Sequence, residues 1–259
     1  MTRVAIVTGA ARGIGAATVD ALVNDGFYVV AVDRCRDIAD VPYALATPAD
    51  LDAVVARHGE HVLGLVGDVR SSSDMQLAVD TALRHFGRLD AVVAAAGVVG
   101  GGGPLWEMSD ATFDAIMSVN VLGTRRLIEA ATPALLTNGG YGRIVAIASA
   151  AGRQGLRHMA AYSAAKHAVV GLIRGVAMDL AETKVTANAV SPGSTRTAIL
   201  EASAALYGLP SGEAFASQQP IGRLLEPSEV AGMISWLCSA HSSAVTGADL
   251  AVDGGMTVS

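Results

Sequence analysis

Short aliphatic runs alternate with segments of helical periodicity along the whole chain, and this alternation restricts the possible folds more than any other feature. The runs at residues 4–7, 28–33 and 62–67 each precede a stretch in which apolar residues recur at helical spacing. Strands of a parallel sheet have such aliphatic sequences because helices cover both faces. We therefore predict an α/β fold with a doubly wound parallel sheet of about seven strands and helices on both faces. The other predicted strands are residues 91–96, 143–148, 185–190 and 248–252.

The alternation continues without a linker or repeat, so we expect a single domain over residues 1–259. Apolar residues make up 51% of the chain and charged residues 16%, which is enough apolar sequence for one large core. The net charge of −6 argues against a nucleic-acid partner. We expect no membrane association, because no signal-peptide pattern and no membrane-spanning apolar run is present. Cys35 and Cys238 lack metal-ligand spacing, so we expect free thiols in a cytoplasmic protein.

A glycine-rich turn joins the first predicted strand to a helix. Its sequence is TGAARGIG, with glycines at positions 9, 13 and 15. Glycines allow a tight turn and a close approach of the backbone to a pyrophosphate, whose charge is met by free N–H groups at the helix N-terminus. The alternative is a turn whose glycines serve close packing alone. The strand before and the helix after favour phosphate binding.

The second predicted strand ends at Asp33, about 20 residues after the glycines, where a Rossmann-type sheet meets the adenosine ribose. A carboxylate there accepts a hydrogen bond from a ribose hydroxyl and repels a 2′-phosphate, so NAD is the expected cofactor. Arg12 and Arg34 leave an NADP-linked alternative open, because either cation could neutralise such a phosphate. Asp68 ends the third strand, where it could accept from the adenine amino group. The link from 35 to 59 is either an ordered loop near the adenosine or a passive surface excursion.

Tyr162 and Lys166 are four residues apart, and Ser149 precedes the tyrosine by thirteen. On a helix, Tyr162 and Lys166 share one face. A nearby ammonium favours the phenolate and lowers a tyrosine pKa, while a serine hydroxyl could hold a substrate oxygen. The alternative is a surface helix that carries Tyr and Lys by chance. The same stretch contains Leu156, His158 and Met159, which are candidates for a substrate wall, and His158 is either a second proton carrier or a solvent-facing loop histidine.

Two further features flank this stretch. Asn120 interrupts the apolar face of a helix capped by Ser109, so its amide either satisfies a backbone group at a kink or holds a water. The loop after the fourth strand contains Gly100 to Gly103 and is either mobile at a substrate entrance or a flexible link. Trp106 either walls an apolar pocket beside this loop or is a core anchor.

The strand ends bring these features to one edge of the sheet. Ligands bind doubly wound sheets at the carboxyl ends of the strands. The irregular region at about 194–223 lies outside the regular pattern, so we expect it to set substrate specificity. The features on this edge are Asp33, Asp68, Gly97, Ser149 and residues 191–197.

Taken jointly, the motifs resemble those of the one-domain short-chain dehydrogenase/reductase family over essentially the full length. The resemblance implies that Tyr162 is the general acid/base, that Lys166 lowers its pKa and holds the nicotinamide ribose, that Ser149 positions the substrate oxygen, and that Asn120 holds a water in the proton relay. The implied catalytic residues are therefore Asn120, Ser149, Tyr162 and Lys166. The implied cofactor-binding residues are Gly9, Arg12, Gly13, Ile14, Gly15, Asp33, Arg34, Asp68, Val69, Ala95, Gly97, Tyr162, Lys166, Pro192, Gly193, Thr195 and Thr197.

One position departs from the family pattern. The Asn-Asn-Ala-Gly that follows the fourth strand in the family is here Ala94-Ala95-Ala96-Gly97, so the amides that usually brace that turn are absent. A narrower resemblance, to the mycofactocin-associated actinobacterial branch, is carried by VDRCRD, VPYALATPADL, SPGSTRT and QQPIGRLLEP. That branch implies NAD that stays bound between turnovers and a peptide-derived redox carrier as partner. The family also implies a homotetramer.

The expected activity is therefore NAD-dependent interconversion of a small, largely apolar secondary alcohol and its ketone. Two alternatives are an NADP-linked ketoreductase and a non-catalytic nucleotide-sensing protein. The second would lack one of Ser149, Tyr162 and Lys166, all of which are present.

Overall fold

In the computed structural model, which describes residues 2–139 and 141–258, seven strands form one parallel sheet. Their order is β3-β2-β1-β4-β5-β6-β7, so the chain reverses its direction of travel across the sheet between β1 and β4. Such a reversal opens a crevice at the carboxyl ends of the strands. The strands are β1 (Arg3–Thr8), β2 (Phe27–Asp33), β3 (Val62–Val66), β4 (Ala91–Ala94), β5 (Gly142–Ile147), β6 (Val185–Pro192) and β7 (Asp249–Val252).

Helices cover both faces of this sheet and divide the core into two layers. Side chains alternate along a strand, so Val4 and Ile6 of β1 face one layer while Ala5 and Val7 face the other. Helices α3, α5 and α6 complete the first layer, and α1, α2 and α8 the second. The predicted doubly wound α/β fold is therefore confirmed. The helices are α1 (Gly13–Asn24), α2 (Pro48–His58), α3 (Ser72–Phe86), α4 (Asp110–Met117), α5 (Gly123–Thr137), α6 (Ala160–Asp179), α7 (Ala198–Leu206) and α8 (Pro227–Leu237).

The sequence predicts helix starts at Thr47, Ser71 and Ser109, and in the structure each of these side chains caps a helix. The hydroxyl of Thr47 accepts a hydrogen bond from the backbone N–H of Asp50, whose carboxylate accepts in return from the Thr47 N–H. Ser71 and Ser109 cap α3 and α4 in the same way, through Asp74 N and Thr112 N. Each cap satisfies an N–H group that has no partner inside the helix.

Some local predictions are wrong. The fourth strand ends at Ala94 and not at residue 96. The apolar spacing of α3 predicts Leu83 on its buried face, but Leu83 is 39% exposed, because it lies about 80° around the helix from the fully buried Met75. Trp106 is 85% exposed and is not a core anchor.

Met1, Gly140 and Ser259, which fall within the predicted domain, lie outside the described residues. No helix in the described part of the chain is both long and apolar enough to cross a bilayer. Cys35 and Cys238 are buried free thiols, as expected.

Candidate active site

A cavity of about 560 Å³ opens at the carboxyl ends of the strands. Its walls contain residues that follow β1 to β6, so six successive strand ends meet at one place. Of the site residues predicted from the sequence, Asn120 does not line the cavity. Those that do are Gly9, Arg12, Gly13, Ile14, Gly15, Asp33, Arg34, Asp68, Val69, Ala95, Gly97, Ser149, Tyr162, Lys166, Pro192, Gly193, Thr195 and Thr197.

The glycine turn leaves no room for larger residues. Gly9 and Gly13 have φ angles of 65° and 57°, which L-residues with side chains rarely adopt. A Cβ at Gly15 would lie 2.0 Å from the carbonyl oxygen of Gly9. Helix α1 begins at Gly13 without a side-chain cap or an acidic residue in its first turn. The turn therefore offers backbone N–H groups and the positive helix end to an anion, and it fits the pyrophosphate of a dinucleotide.

The carboxylate of Asp33 is held at the end of β2 by two backbone donors. Ala11 N donates to Oδ2 and Cys35 N to Oδ1, both at 3.1 Å. These bonds fix the carboxylate while it still lines the cavity. A fixed acceptor at this strand end fits a ribose hydroxyl.

The two arginines that could favour a 2′-phosphate already have partners. Arg12 Nη2 donates to the carbonyl of Ala44 at 2.9 Å. Arg34 Nε donates to Asp68 Oδ2 at 2.8 Å, and its Nη1 donates to the carbonyls of Arg36 and Asp37. Arg34 would therefore have to share its charge between Asp68 and a phosphate, whereas Arg12 bonds only to a neutral carbonyl.

Asp68 belongs to an ion-pair cluster that the sequence does not predict. Arg70 donates to both carboxylate oxygens, and Arg34 donates to one of them. Burial disfavours the charged carboxylate, but hydrogen bonds from Arg70 and Arg34 outweigh it and lower the Asp68 pKa to about 2. In the cofactor-free protein, Asp68 is therefore ionised and paired with Arg34 and Arg70.

Tyr162 and Lys166 lie on α6 with their side chains inside the protein. Lys166 is 5% exposed, so the alternative of a surface helix is wrong. Its Nζ donates to the carbonyl of Ile147 at 2.8 Å and lies 5.6 Å from the centroid of the Tyr162 ring. Ser149 lies on the same cavity wall and is near enough to Tyr162 to affect its pKa, and its Oγ accepts from Ala151 N at 3.1 Å. The three side chains thus meet at the wall of the cavity.

The pKa values of this group correct the expectation from spacing. Burial raises the pKa of Tyr162 to about 12, and the nearby Ser149 hydroxyl only partly offsets that rise. Burial also lowers the pKa of Lys166 to about 8. The predicted lowering of the tyrosine pKa by Lys166 does not appear in the protein alone, because loss of hydration dominates for both groups. Tyr162 therefore carries its proton at neutral pH.

Asn120 lies behind the cavity, on a π turn at Ser118–Leu122 that joins α4 to α5. Its Nδ2 donates to the carbonyls of Val98 at 2.9 Å and Ile116 at 2.8 Å, and its Oδ1 accepts from Val98 N at 3.3 Å. The side-chain amide therefore satisfies backbone groups, which is one of the two alternatives that the sequence leaves open. A π turn often marks a functional position in a helix.

The turn after β4 is braced although its amide side chains are missing. The Thr8 hydroxyl accepts from Ala95 N at 3.2 Å and from Ala96 N at 3.3 Å. Asn120 fixes Val98, the residue that follows Gly97, through the N–H and the carbonyl of Val98. The expected loss of bracing at this turn is thus compensated by side chains from β1 and from the π turn.

The segment after β6 is held by its own hydroxyl groups. Thr195 donates to the carbonyl of Gly193 at 3.0 Å, and Thr197 donates to the carbonyl of Thr195 at 3.2 Å. Thr197 also caps α7 by accepting from Leu200 N. A Cβ at Gly193 would lie 2.3 Å from Gln219 Oε1, so this position requires glycine.

The other half of the cavity is mainly apolar. Leu156 and Met159 line it as expected, but the His158 side chain and Trp106 do not. The glycine run is fixed at one point, where Gly102 N donates to the carbonyl of His158 at 3.1 Å. The other apolar residues of this half are Val98, Ile199, Leu200, Tyr207, Leu209, Phe215 and Met256.

Tyr43 is a residue near the site that sequence reasoning missed. It comes from the link between β2 and α2, and its hydroxyl accepts a hydrogen bond from Val99 N at 3.0 Å. Its side chain packs in one cluster with Val99, Met159 and Tyr162. An aromatic residue between Pro42 and Pro48 was the available signal, because Tyr43 is the one aromatic residue of that link.

Comparisons with known proteins agree with this geometry. Residues 9–257 match the family described as "Enoyl-(Acyl carrier protein) reductase". The chain belongs to the short-chain dehydrogenase/reductase family.

Curated relatives of this short-chain dehydrogenase include two oxidoreductases. An uncharacterized NAD-dependent oxidoreductase of Mycobacterium tuberculosis is 34% identical over 98% of this chain and 95% of the relative. The cis-4-hydroxycyclohexanecarboxylate dehydrogenase of Sinomonas cyclohexanicum is 37% identical over 98% and 96%. Among solved structures, carveol dehydrogenase from Mycobacterium avium in complex with NAD superposes with a TM-score of 0.93 and 29% identity, over 99% of this chain and 98% of that one. The chain is thus an enzyme that acts on CH–OH groups with a nicotinamide cofactor.

Proposed function

We propose that this short-chain dehydrogenase interconverts a small, largely apolar secondary alcohol and its ketone with NAD. The observation that carries the proposal is the meeting of Ser149, Tyr162 and Lys166 on the wall of a cavity that also contains the glycine turn. The apolar half beside these three side chains favours a substrate with little polar surface. The names of two similar proteins, carveol dehydrogenase and cis-4-hydroxycyclohexanecarboxylate dehydrogenase, support the same chemistry.

Each of the three side chains has a defined task in this proposal. NAD supplies the hydride acceptor or donor when bound. Tyr162 gives a proton to the substrate oxygen, or takes one from it, at its phenolic Oη. Ser149 donates to the same substrate oxygen and keeps it beside Tyr162. Lys166, whose pKa is lowered to about 8 by burial, is largely protonated at neutral pH and stabilises the phenolate that forms when Tyr162 gives up its proton.

We propose NAD and not NADP as the cofactor because of charge at the end of β2. The Asp33 carboxylate is fixed there, whereas Arg12 and Arg34 are bonded to backbone carbonyls and to Asp68. A 2′-phosphate would meet the Asp33 carboxylate, and Arg34, one of the two arginines beside it, is already paired with Asp68. Titration of the cofactor-free protein with NAD and with NADP tests this proposal. Asp33→Ala should reduce the difference between the affinities for NAD and for NADP.

We further propose that NAD stays bound between turnovers and that a mycofactocin-type redox carrier reoxidises it. The link between β2 and α2 supports this, because Ile38, Leu45 and Ala46 line the cavity. Arg12 bonds to Ala44, and Tyr43 bonds to Val99 on the opposite side. This link would have to open before a dinucleotide could leave.

Single-turnover measurements test the retained cofactor. Purified protein should carry nicotinamide, identified by mass, and should oxidise one equivalent of alcohol before it stalls. Added artificial electron acceptor should restore turnover. Sustained NADH production from free NAD would contradict this part of the proposal.

Replacement of the proton-transfer group tests the activity itself. Tyr162→Phe removes the hydroxyl and should lower kcat by at least about a hundredfold, since general acid/base groups contribute at least that much. Nicotinamide binding should remain close to wild type. Turnover above a tenth of the wild-type value would show that Tyr162 is not the acid/base.

A further inference from the structure

Arg157 is an exposed cationic residue on the wall of the substrate half of the cavity. The other cations on the cavity wall have partners: Arg12 and Arg34 bond at the adenosine end, and Lys166 bonds to Ile147. Among residues 2–139 and 141–258, the Arg157 guanidinium has no hydrogen bond or ion pair. The acidic residues on the wall, Asp33 and Asp68, belong to the adenosine end.

The backbone that carries Arg157 is fixed from two directions. The hydroxyl of Tyr207, at the end of α7, donates to the carbonyl of Arg157. Gly102 N, from the loop after β4, donates to the carbonyl of the next residue, His158, at 3.1 Å. His158 has a φ of 59°, a left-handed conformation that is unfavourable for a residue with a side chain. Such conformations persist where the surroundings impose them, and they are frequent at ligand sites.

A neighbouring arginine shows what a structural role would look like. Arg153, four residues earlier, donates to Asp249 Oδ2 at 2.7 Å and to the Thr257 hydroxyl at 3.1 Å. Both of these partners belong to the C-terminal part of the chain. In the described part of the chain, the Arg157 guanidinium has no such partner, although its backbone carbonyl accepts a bond from Tyr207.

We propose that Arg157 binds a carboxylate of the substrate and thereby selects hydroxy acids over neutral alcohols. This inference rests on the proposed alcohol dehydrogenase activity and specifies its substrate class. Guanidinium groups match carboxylates through two parallel hydrogen bonds. Leu156 and Met159, beside Arg157, provide apolar contacts for a hydrocarbon segment between the reacting carbon and the carboxylate. The substrate is thus a secondary hydroxy acid, or its keto acid, with an apolar spacer.

Paired substrates of different length test this assignment. The probes are 4-hydroxypentanoate, 5-hydroxyhexanoate and 7-hydroxyoctanoate, each compared with its neutral primary amide. The holoenzyme is assayed with an artificial electron acceptor. At the best spacer length, the acid should exceed the amide in kcat/KM by about tenfold, as expected for one charge-assisted contact that is partly screened by water. Higher ionic strength should reduce this ratio.

Variants at Arg157 separate charge recognition from a structural role. Arg157→Gln should bring the ratio of acid to amide close to one, mainly through the KM of the acid, and Arg157→Lys should restore part of it. Arg174→Gln, which removes an exposed charge from α6 outside the cavity, should keep the wild-type ratio. The nicotinamide content of Arg157→Gln should match wild type, which shows that it is folded and that Arg157 does not bind the dinucleotide.

Two results would overturn the assignment. One is a wild-type enzyme that prefers no acid at any of the three lengths. The other is an unchanged ratio in Arg157→Gln.

If neither acids nor amides turn over, the proposed function fails by itself, and calorimetric titration with hexanoate and hexanamide decides about Arg157. Tighter binding of hexanoate that is lost in Arg157→Gln supports the assignment, and equal binding of the two refutes it.

Discussion

The two halves of the cavity are built in different ways. The cofactor half is made mostly of backbone: Gly9, Gly13 and Gly15 form the turn, and two N–H groups fix the Asp33 carboxylate. The substrate half is made of side chains from separate loops, which are joined by single hydroxyl bonds. The shape of the cofactor half therefore depends on backbone positions that allow one conformation. The shape of the substrate half depends on separate side-chain contacts, each of which can be removed by one substitution.

This difference predicts how each half responds to substitution. In the cofactor half, a new Cβ at Gly9 or Gly15 would lie less than 3.0 Å from backbone atoms, so the backbone itself would have to shift. In the substrate half, loss of a tyrosine hydroxyl removes one hydrogen bond and leaves the ring in place. We expect abrupt losses in the first half and graded changes in the second.

The largest effect should come from Gly15→Ala. The added methyl group would lie 2.0 Å from the Gly9 carbonyl oxygen, so the turn must open. NAD affinity should fall by about a thousandfold, equivalent to about 4 kcal/mol, and the purified protein should contain no nicotinamide. Equilibrium dialysis measures the affinity, and circular dichroism shows whether the fold persists.

Gly232→Ala is the matched control for this change. Gly232 lies in α8, and a Cβ there would meet nothing within 4 Å. It should retain the cofactor and should be as stable as wild type or more so, because alanine favours helix. A folded Gly15→Ala protein with full nicotinamide content would contradict the steric account of the cofactor half.

A smaller effect should appear in the pH dependence of stability, where Lys166 lies between the two halves. Burial lowers its pKa from 10.5 to about 8 in the folded, cofactor-free protein. Between these values the unfolded chain binds more protons, so the free energy of unfolding rises with pH, by at most about 3 kcal/mol. Below pH 8 the folded protein carries the full cost of a buried ammonium.

The matched variant for this measurement is Lys166→Met, which lacks the titrating group. Urea unfolding gives the free energy of unfolding of each cofactor-free protein. The wild-type value minus the variant value should increase from pH 8 to pH 10.5. Tyr162 is present in both proteins, so its titration contributes little to the difference. A flat or falling difference would mean that Lys166 is better hydrated than its burial indicates.

The smallest effects on cofactor release and substrate binding should come from removing one tyrosine hydroxyl in each half of the cavity. Tyr43→Phe leaves Val99 N without its acceptor and should speed NAD release by about fivefold, equivalent to about 1 kcal/mol. Tyr207→Phe removes the bond to the Arg157 carbonyl and should raise the substrate KM by a similar factor. Stopped-flow fluorescence and steady-state kinetics measure the two quantities. If each variant changed the NAD release rate and the substrate KM by the same factor, the two halves would not respond independently to substitution.

The glycine turn, the end of β2 and the helix caps could be predicted from the sequence because their constraints are local. Glycine positions, the strand that ends at Asp33 and the capping residues Thr47 and Ser71 are all set by neighbours in the chain. Ser149, Tyr162 and Lys166 were found from spacing and from the family resemblance, and the structure brings all three to the cavity wall.

Other features could not be predicted because they depend on distant packing. The Arg34–Asp68–Arg70 cluster, the Tyr43–Val99 bond and the position of Trp106 join or separate segments with no common sequence pattern. The direction of the Tyr162 pKa shift depends on the balance between burial and charge, which spacing does not reveal.

The π turn at Ser118–Leu122 makes this part of the chain intolerant of changes in length. A π turn holds one residue more than a regular α turn, so deletion of Val121 would permit an uninterrupted α-helix. Everything before the deletion would then rotate by about 100° relative to α5. Ile116, which packs against Ala161 and Ala165 of α6, would swing out of that contact. A single-residue deletion in this turn would therefore break the contact between α4 and α6, the helix that carries Tyr162.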